Sequence, residues 1–193
     1  MKKLAIIAAV FVATTTLSMA AISGSLHDFS GTGWTNEICA PCHVPHNADA
    51  AGTYLWDHDT TVAGHTIYNT NGTSMENNPL AADTTSILCL SCHDGTVALD
   101  SFGGVVGGTT ISGPALLGTD LTNDHPINVD LSIATPQYDT VANAQGKGVT
   151  FGTGGIVNCA SCHDVHNNGG VAGSGLLRVT TTGSQLCLAC HLK

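Results

Sequence analysis

"CASCHDVHN" at residues 159–167 and "CAPCHVPHN" at residues 39–47 are near copies of each other. Each has two cysteines three apart, a histidine directly after the second, and another histidine three residues later. Two shorter relatives complete the set, "CLSCH" at 89–93 and "CLACH" at 187–191. All eight cysteines of the chain fall into these four pairs, and a histidine follows every pair although only ten of 193 residues are histidine. Four disulfides or two four-cysteine zinc ribbons would use the same thiols, yet both leave the four histidines unexplained. Cys-x-x-Cys-His is the attachment signature of c-type haem. The two thiols form thioethers with the porphyrin vinyl groups, and the next residue swings under the iron. The expected cofactors are therefore four covalently attached haem c groups. Cys39, Cys42, Cys89, Cys92, Cys159, Cys162, Cys187 and Cys190 would be the anchors, and His43, His93, His163 and His191 the proximal iron ligands.

The remaining histidines are His27, His46, His58, His65, His125 and His166. A haem iron has a sixth position for His, Met, water or substrate. Past residue 20 the chain has one methionine, Met75, so all-histidine ligation is the economical reading. On a helical turn His163 and His166 share a face, with Cβ atoms about 5–6 Å apart. Trans ligands must approach one iron from opposite sides, so His166 is expected to serve a neighbouring haem, and His46 likewise. His125 precedes Pro126, which favours an extended backbone, and follows Asp124, a candidate acceptor for its ring N–H. His58 follows Trp56, an apolar neighbour suited to a haem edge. His27 lies twelve residues before Cys39, and His65 is the expected bystander.

The rest of the chain limits the setting. Lys2 and Lys3, the apolar run from Leu4 to Ala13 and Ser18-Met19-Ala20 have the layout of a signal peptide over 1–20. Nothing after it approaches the roughly 18 apolar residues of a membrane span. The expected product is secreted or, alternatively, periplasmic. Beyond residue 20, Lys147, Arg178 and Lys193 stand against fourteen carboxylates, a formal charge of −11. Nucleic acid is a poor partner for such a surface. Residues 21–193 read as one tetrahaem domain, with motif pairs at 39–93 and 159–191 and a Gly/Thr-rich insert at 96–158. With three Phe, two Trp and three Tyr in that span, side chains alone make a thin core. The expected fold is mostly irregular, with short α-helices around the motifs, few or no strands, and a core of four stacked haems. Asn71-Gly72-Thr73 matches a glycosylation triplet, a pattern common by chance.

"SGSLHDFS" (23–30), "CAPCHVPHNA" (39–48), "YLWDH" (54–58), "LCLSCHDGTVALDSFGG" (88–104), "LGTDLTNDHPI" (117–127), "CASCHDVHN" and "LCLACH" (186–191) resemble, in that order, the doubled-CxxCH multihaem cytochromes of metal-reducing bacteria. Haem count, size and export signal further resemble the extracellular tetrahaem cytochromes that polymerise into conductive filaments. The resemblance implies electron transfer rather than catalysis, in respiration to a mineral, an electrode or another multihaem cytochrome. It also implies a homopolymer in which a histidine of one subunit completes a haem of the next. Its pattern marks His27, His46, His58, His125 and His166 as distal ligands and omits His65. Five histidines for four positions leave one surplus, and His27 and His58 are the preferred inter-subunit candidates. A monomeric shuttle and an oxidoreductase with one open iron are the competing expectations.

Overall fold

The computed structural model describes residues 22–48, 53–68, 82–133, 135–166 and 175–192. The expected signal segment over residues 1–20, Met75 and the Asn71 triplet lie outside them. Regular structure is sparse. In chain order come β1 (Thr66–Ile67), α1 (Thr84–His93), β2 (Asp120–Leu121), α2 (Val141–Gly146), α3 (Cys159–Cys162) and α4 (Gln185–Cys190), with single 3₁₀ turns at Thr53–Leu55, Gly113–Ala115 and Thr182–Ser184. β1 and β2 form one parallel pair with Thr66 opposite Asp120. The described residues are thus mostly coil with short helices, and three of the four α-helices among them end within a Cys-x-x-Cys-His motif.

Local chemistry explains where the helices begin and stop. Asp83 caps α1, accepting the Ser86 N–H at 2.8 Å and satisfying a donor that the first turn leaves open. α1 ends where Gly95 takes φ +78°, and a Cβ there would lie 2.6 Å from a Leu116 methyl, so a side chain has neither the torsion nor the room. Thr140 caps α2 through the Asn143 N–H at 3.2 Å. α3 is a single turn entered at Asn158, whose N–H donates to Ser161 Oγ at 3.0 Å.

The apolar interior is split and small. Leu131, Ala144, Val149 and Ala189 form one cluster where α2 meets α4, flanked by Tyr138, Val141, Phe151 and Val179. Ile67, Leu90 and Leu121 form the other, where α1 closes over the strand pair. Meanwhile Leu26, Val62 and Val106 are almost fully exposed. Polar groups fill part of the gap: His58, Thr61, Ser86, Ser91, Asn128 and Asn158 are all buried. Buried polar groups stabilise a fold only when hydrogen-bonded, and Thr61 N–H donating to Ser91 Oγ at 3.0 Å is one such tie.

Leu90 is 1% exposed and sits between two attachment cysteines. Leu90→Ala should lower unfolding free energy by about 2–5 kcal/mol, the usual cost of a buried leucine cavity. Thermal or denaturant unfolding of the holoprotein measures it.

Candidate haem sites

Each Cys-x-x-Cys turn places its histidine at the turn's C-terminal edge, and the surrounding backbone then holds the ring. His43 Nδ1 faces the Tyr54 carbonyl at 2.7 Å, His93 Nδ1 the Ala115 carbonyl at 2.8 Å, and His163 Nδ1 the Gly175 carbonyl at 3.0 Å. A ring nitrogen facing a carbonyl must carry the proton, so Nε2 keeps its lone pair for a metal.

The holders of His43 and His163 are the same device used twice. Val44 N–H donates to the Leu55 carbonyl and Asp57 N–H to the Cys42 carbonyl, at 2.9 and 3.0 Å. Correspondingly, Asp164 N–H donates to Leu176 and Arg178 N–H to Cys162, at 2.7 and 2.8 Å. Both holders pass through left-handed backbone, with φ +74° and +56° at Tyr54 and Leu55, and +67° and +62° at Gly175 and Leu176. A leucine in that region costs about 1–2 kcal/mol, which the paired backbone bonds offset. The fourth motif is gripped alike from the insert: Leu192 N–H donates to Gln137 at 2.8 Å and Asp139 N–H to Cys190 at 2.7 Å. Lys147 braces that grip, bonding Asp139 at 2.8 Å and the Leu188 carbonyl at 2.9 Å. The lysine and the nearby Asn143 amide hold the Asp139 carboxyl down to about 2. The second motif alone has a different holder, with Leu117 N–H bonding the His93 carbonyl. Sequence similarity pairs the first motif with the third and the second with the fourth; the backbone holders group the first, third and fourth.

Histidine rings then face one another in pairs. His27 and His93 have centroids 6.0 Å apart, His43 and His166 6.0 Å, and His125 and His191 6.3 Å. A metal–imidazole bond is about 2 Å, and a ring centre lies about 1 Å beyond its nitrogen, so trans ligands on one iron sit about 6 Å apart centre to centre. The residues present therefore fit an iron between each pair. His166 stands opposite His43 rather than His163. The ring planes differ by 17° for His43/His166, 46° for His27/His93 and 81° for His125/His191. Among the described residues, no histidine stands at that spacing from His163, which is exposed, and residues 167–174 lie outside the description.

The other expected ligands are placed as follows. His46 is exposed beside Asn47, whose φ is +60°. His27, expected to be free to reach outward, is turned inward. Burial lowers its pKa, with His93 and His163 adding in the same direction, and its Nδ1 has no partner. His58, the other outward candidate, is 2% exposed. Its Nδ1 lies 2.7 Å from the Asp59 carbonyl, and its Nε2 lies 3.0 Å from the Ala98 carbonyl and 3.5 Å from Cys92 Sγ. His65 bonds Asp94 Oδ2 at 3.0 Å, with both side chains inaccessible. Sequence reasoning did not anticipate that link, nor the holders, because residues dozens of positions apart supply them and no short motif marks them.

No disulfide joins any of the eight cysteines. Burial pushes the Cys42 thiol up to about 11 and the Cys92 thiol up to about 12. Cys89 and Cys159 share a hydrogen bond, which raises the first and lowers the second. The two motifs thus meet at their leading cysteines.

A family model described as the doubled CXXCH motif matches residues 152–193, which contain the third and fourth motifs. No curated protein matches the chain. The family match supports a multihaem c-type cytochrome acting in electron transfer, with haem c held covalently at the motifs. Among the described residues no helix is long and apolar enough to cross a membrane.

Asp94 follows His93 and is buried. Burial pushes its carboxyl up, but hydrogen bonds from Thr61, Thr96 and His65 outweigh it, and the group sits below its ordinary 3.8. Its contribution is complete above that value and fades as pH falls through the folded one. His65→Ala leaves Asp94 Oδ2 short of a partner and should cost about 1–3 kcal/mol. The haem spectrum should not change, and acid unfolding should begin at a higher pH than in the parent protein.

Proposed function

We propose that the chain is a tetrahaem electron carrier that assembles, copy on copy, into an extracellular filament. The observation that carries this reading is the set of three histidine pairs at trans-ligand spacing, together with the remaining motif histidine, His163, which has none among the described residues. Bound haem supplies an iron that cycles between ferric and ferrous and exchanges single electrons with its neighbours. The chain's own contribution is to hold imidazoles on both faces of each site and to bring the sites together. In this reading His27 serves the site of His93, His166 that of His43, and His125 that of His191. Since His166 lies three residues from His163, one short segment spans two sites and keeps them adjacent.

His163 then needs a ligand from elsewhere. His46 is exposed, belongs to the same kind of trailing position as His166, and has no ring opposite it among the described residues. We assign it as the ligand that one copy lends to His163 of the next. This replaces His27 and His58 as the lent ligand, because both are turned inward: His27 serves as a distal ligand within the same copy, and His58 is buried beside Ala98 and Cys92 of the second motif. External redox partners would be minerals, electrodes or other multihaem cytochromes.

One observation favours a second reading. A His163 with no histidine opposite it among the described residues is also what an oxidoreductase with one open iron would present. Carbon monoxide separates the two. The assembled wild-type protein should contain four haems by pyridine haemochrome assay and should not bind the gas. His46→Ala should remain dispersed by negative-stain microscopy and expose one carbon monoxide site per chain. Uptake by the assembled wild-type protein would support the enzyme instead.

The ring angles give an independent readout. Parallel imidazole planes split the iron dxz and dyz orbitals, whereas perpendicular planes leave them nearly degenerate. Low-temperature EPR should therefore show a rhombic low-spin signal from the His43/His166 site and a highly anisotropic one from the His125/His191 site. His125→Met should remove only the second.

A further inference from the structure

The helices that carry the second and third motifs are joined at their N-termini. Asp83, the cap of α1, accepts the Ser86 N–H on Oδ1 and the Asn158 Nδ2–H on Oδ2, both at 2.8 Å. Asn158 is the cap of α3, so one carboxylate ties two helix starts that lie 75 residues apart. The Asp83 N–H donates to Asn128 Oδ1 at 3.1 Å, and Asn128 N–H donates to the Val157 carbonyl at 2.6 Å. Asn128 and Asn158 are 2% and 4% exposed, and Asn128 adopts φ +63°. Gly152 roofs the cluster: a Cβ there would lie 3.0 Å from Asn158 Nδ2 and 3.2 Å from Asp83 Oδ2. α1 and α3 pack together, and Cys89 and Cys159 touch between them. Asp83 thus sits at the start of both of the helices that carry those cysteines.

We propose that Asp83 is a positioning residue for the junction of the second and third haem sites, clasping α1 to α3 through Asn158 and setting one negative charge against both sites. The inference rests on the tetrahaem reading above. Two effects follow and are separable. As a clasp, Asp83 fixes how closely the Cys89 and Cys159 turns approach, and hence how fast an electron crosses between their sites. As a charge in a partly desolvated cluster, it favours the more positive ferric state at both sites and lowers their potentials. A cap with a purely structural role would do neither selectively.

The test compares secreted holoprotein of the wild type, Asp83→Asn, Asn158→Ala and a charge control, Asp120→Asn, whose carboxylate is exposed. Asn is itself a good helix cap, and Asn158 can turn its amide to present oxygen to it. Asp83→Asn should keep four haems and raise two of the four midpoint potentials in a spectroelectrochemical titration, leaving the other two unmoved. Asp120→Asn should not reproduce this selectivity. Asn158→Ala, which keeps the charge, should slow electron exchange between the same two sites, read from NMR line broadening in partly reduced samples. Four unmoved midpoints, or four that shift together, would overturn the assignment of the charge. Should Asp83→Asn lose haem, unchanged exchange in Asn158→Ala would reject the clasp on its own. A wild type holding fewer than four haems would instead defeat the tetrahaem reading.

Discussion

An imidazole whose Nδ1–H is tied to a backbone carbonyl offers one lone pair, on Nε2, in one direction. That constraint governs the architecture. His43, His93 and His163 are each aimed by a carbonyl from a segment eleven to twenty-two residues downstream. The chain must loop away from each attachment turn and come back, so coil is the functional material here. At the first and third motifs the returning segment enters left-handed backbone at a leucine. Strain of that kind persists only where surrounding bonds over-determine the conformation. Here two backbone hydrogen bonds flank each strained pair.

Thin side-chain packing makes polar contacts correspondingly important. The two apolar clusters leave much of the chain without a partner of its own kind. Several connections between distant segments are instead made by buried hydrogen bonds, such as Asp94 with His65 and Thr96, or Asn158 with Asp83. Such networks are worth most where water is excluded and cost most when a member is removed. They also place carboxylates close to the Cys-x-x-Cys-His motifs, Asp94 directly after His93 and Asp83 at the start of α1.

The repeated motif has more than one structural meaning. By sequence, residues 39–47 pair with 159–167 and residues 89–93 with 187–191. By the segments that grip them, the first, third and fourth motifs form one group and the second stands apart. The fourth borrows its grip from the insert, through Gln137 and Asp139, where the first and third use the chain that follows them. An insert that looks like a Gly/Thr-rich spacer therefore places His125 opposite His191, supplies holders to both the fourth motif (Gln137, Asp139) and the second (Ala115, Leu117) and, through Asn128, part of the clasp between α1 and α3.

The eight cysteines and the histidines after them were legible at once, because thioether attachment demands two thiols and a ligand within five consecutive residues. Sparse aromatic content also announced a chain of short helices and coil. Which spare histidine faces which site was not legible. That choice depends on contacts between segments as far apart as His43 and His166, and no local pattern encodes a distance of that kind. His27 and His58 illustrate the difference. Both sit in segments that look free from their neighbours in sequence, yet one packs against His93 and the other is buried between two carbonyls. Covalent spacing is a property of consecutive residues and can be read from them. The direction of a lone pair is set by whichever carbonyl the folded chain brings to the other side of the ring.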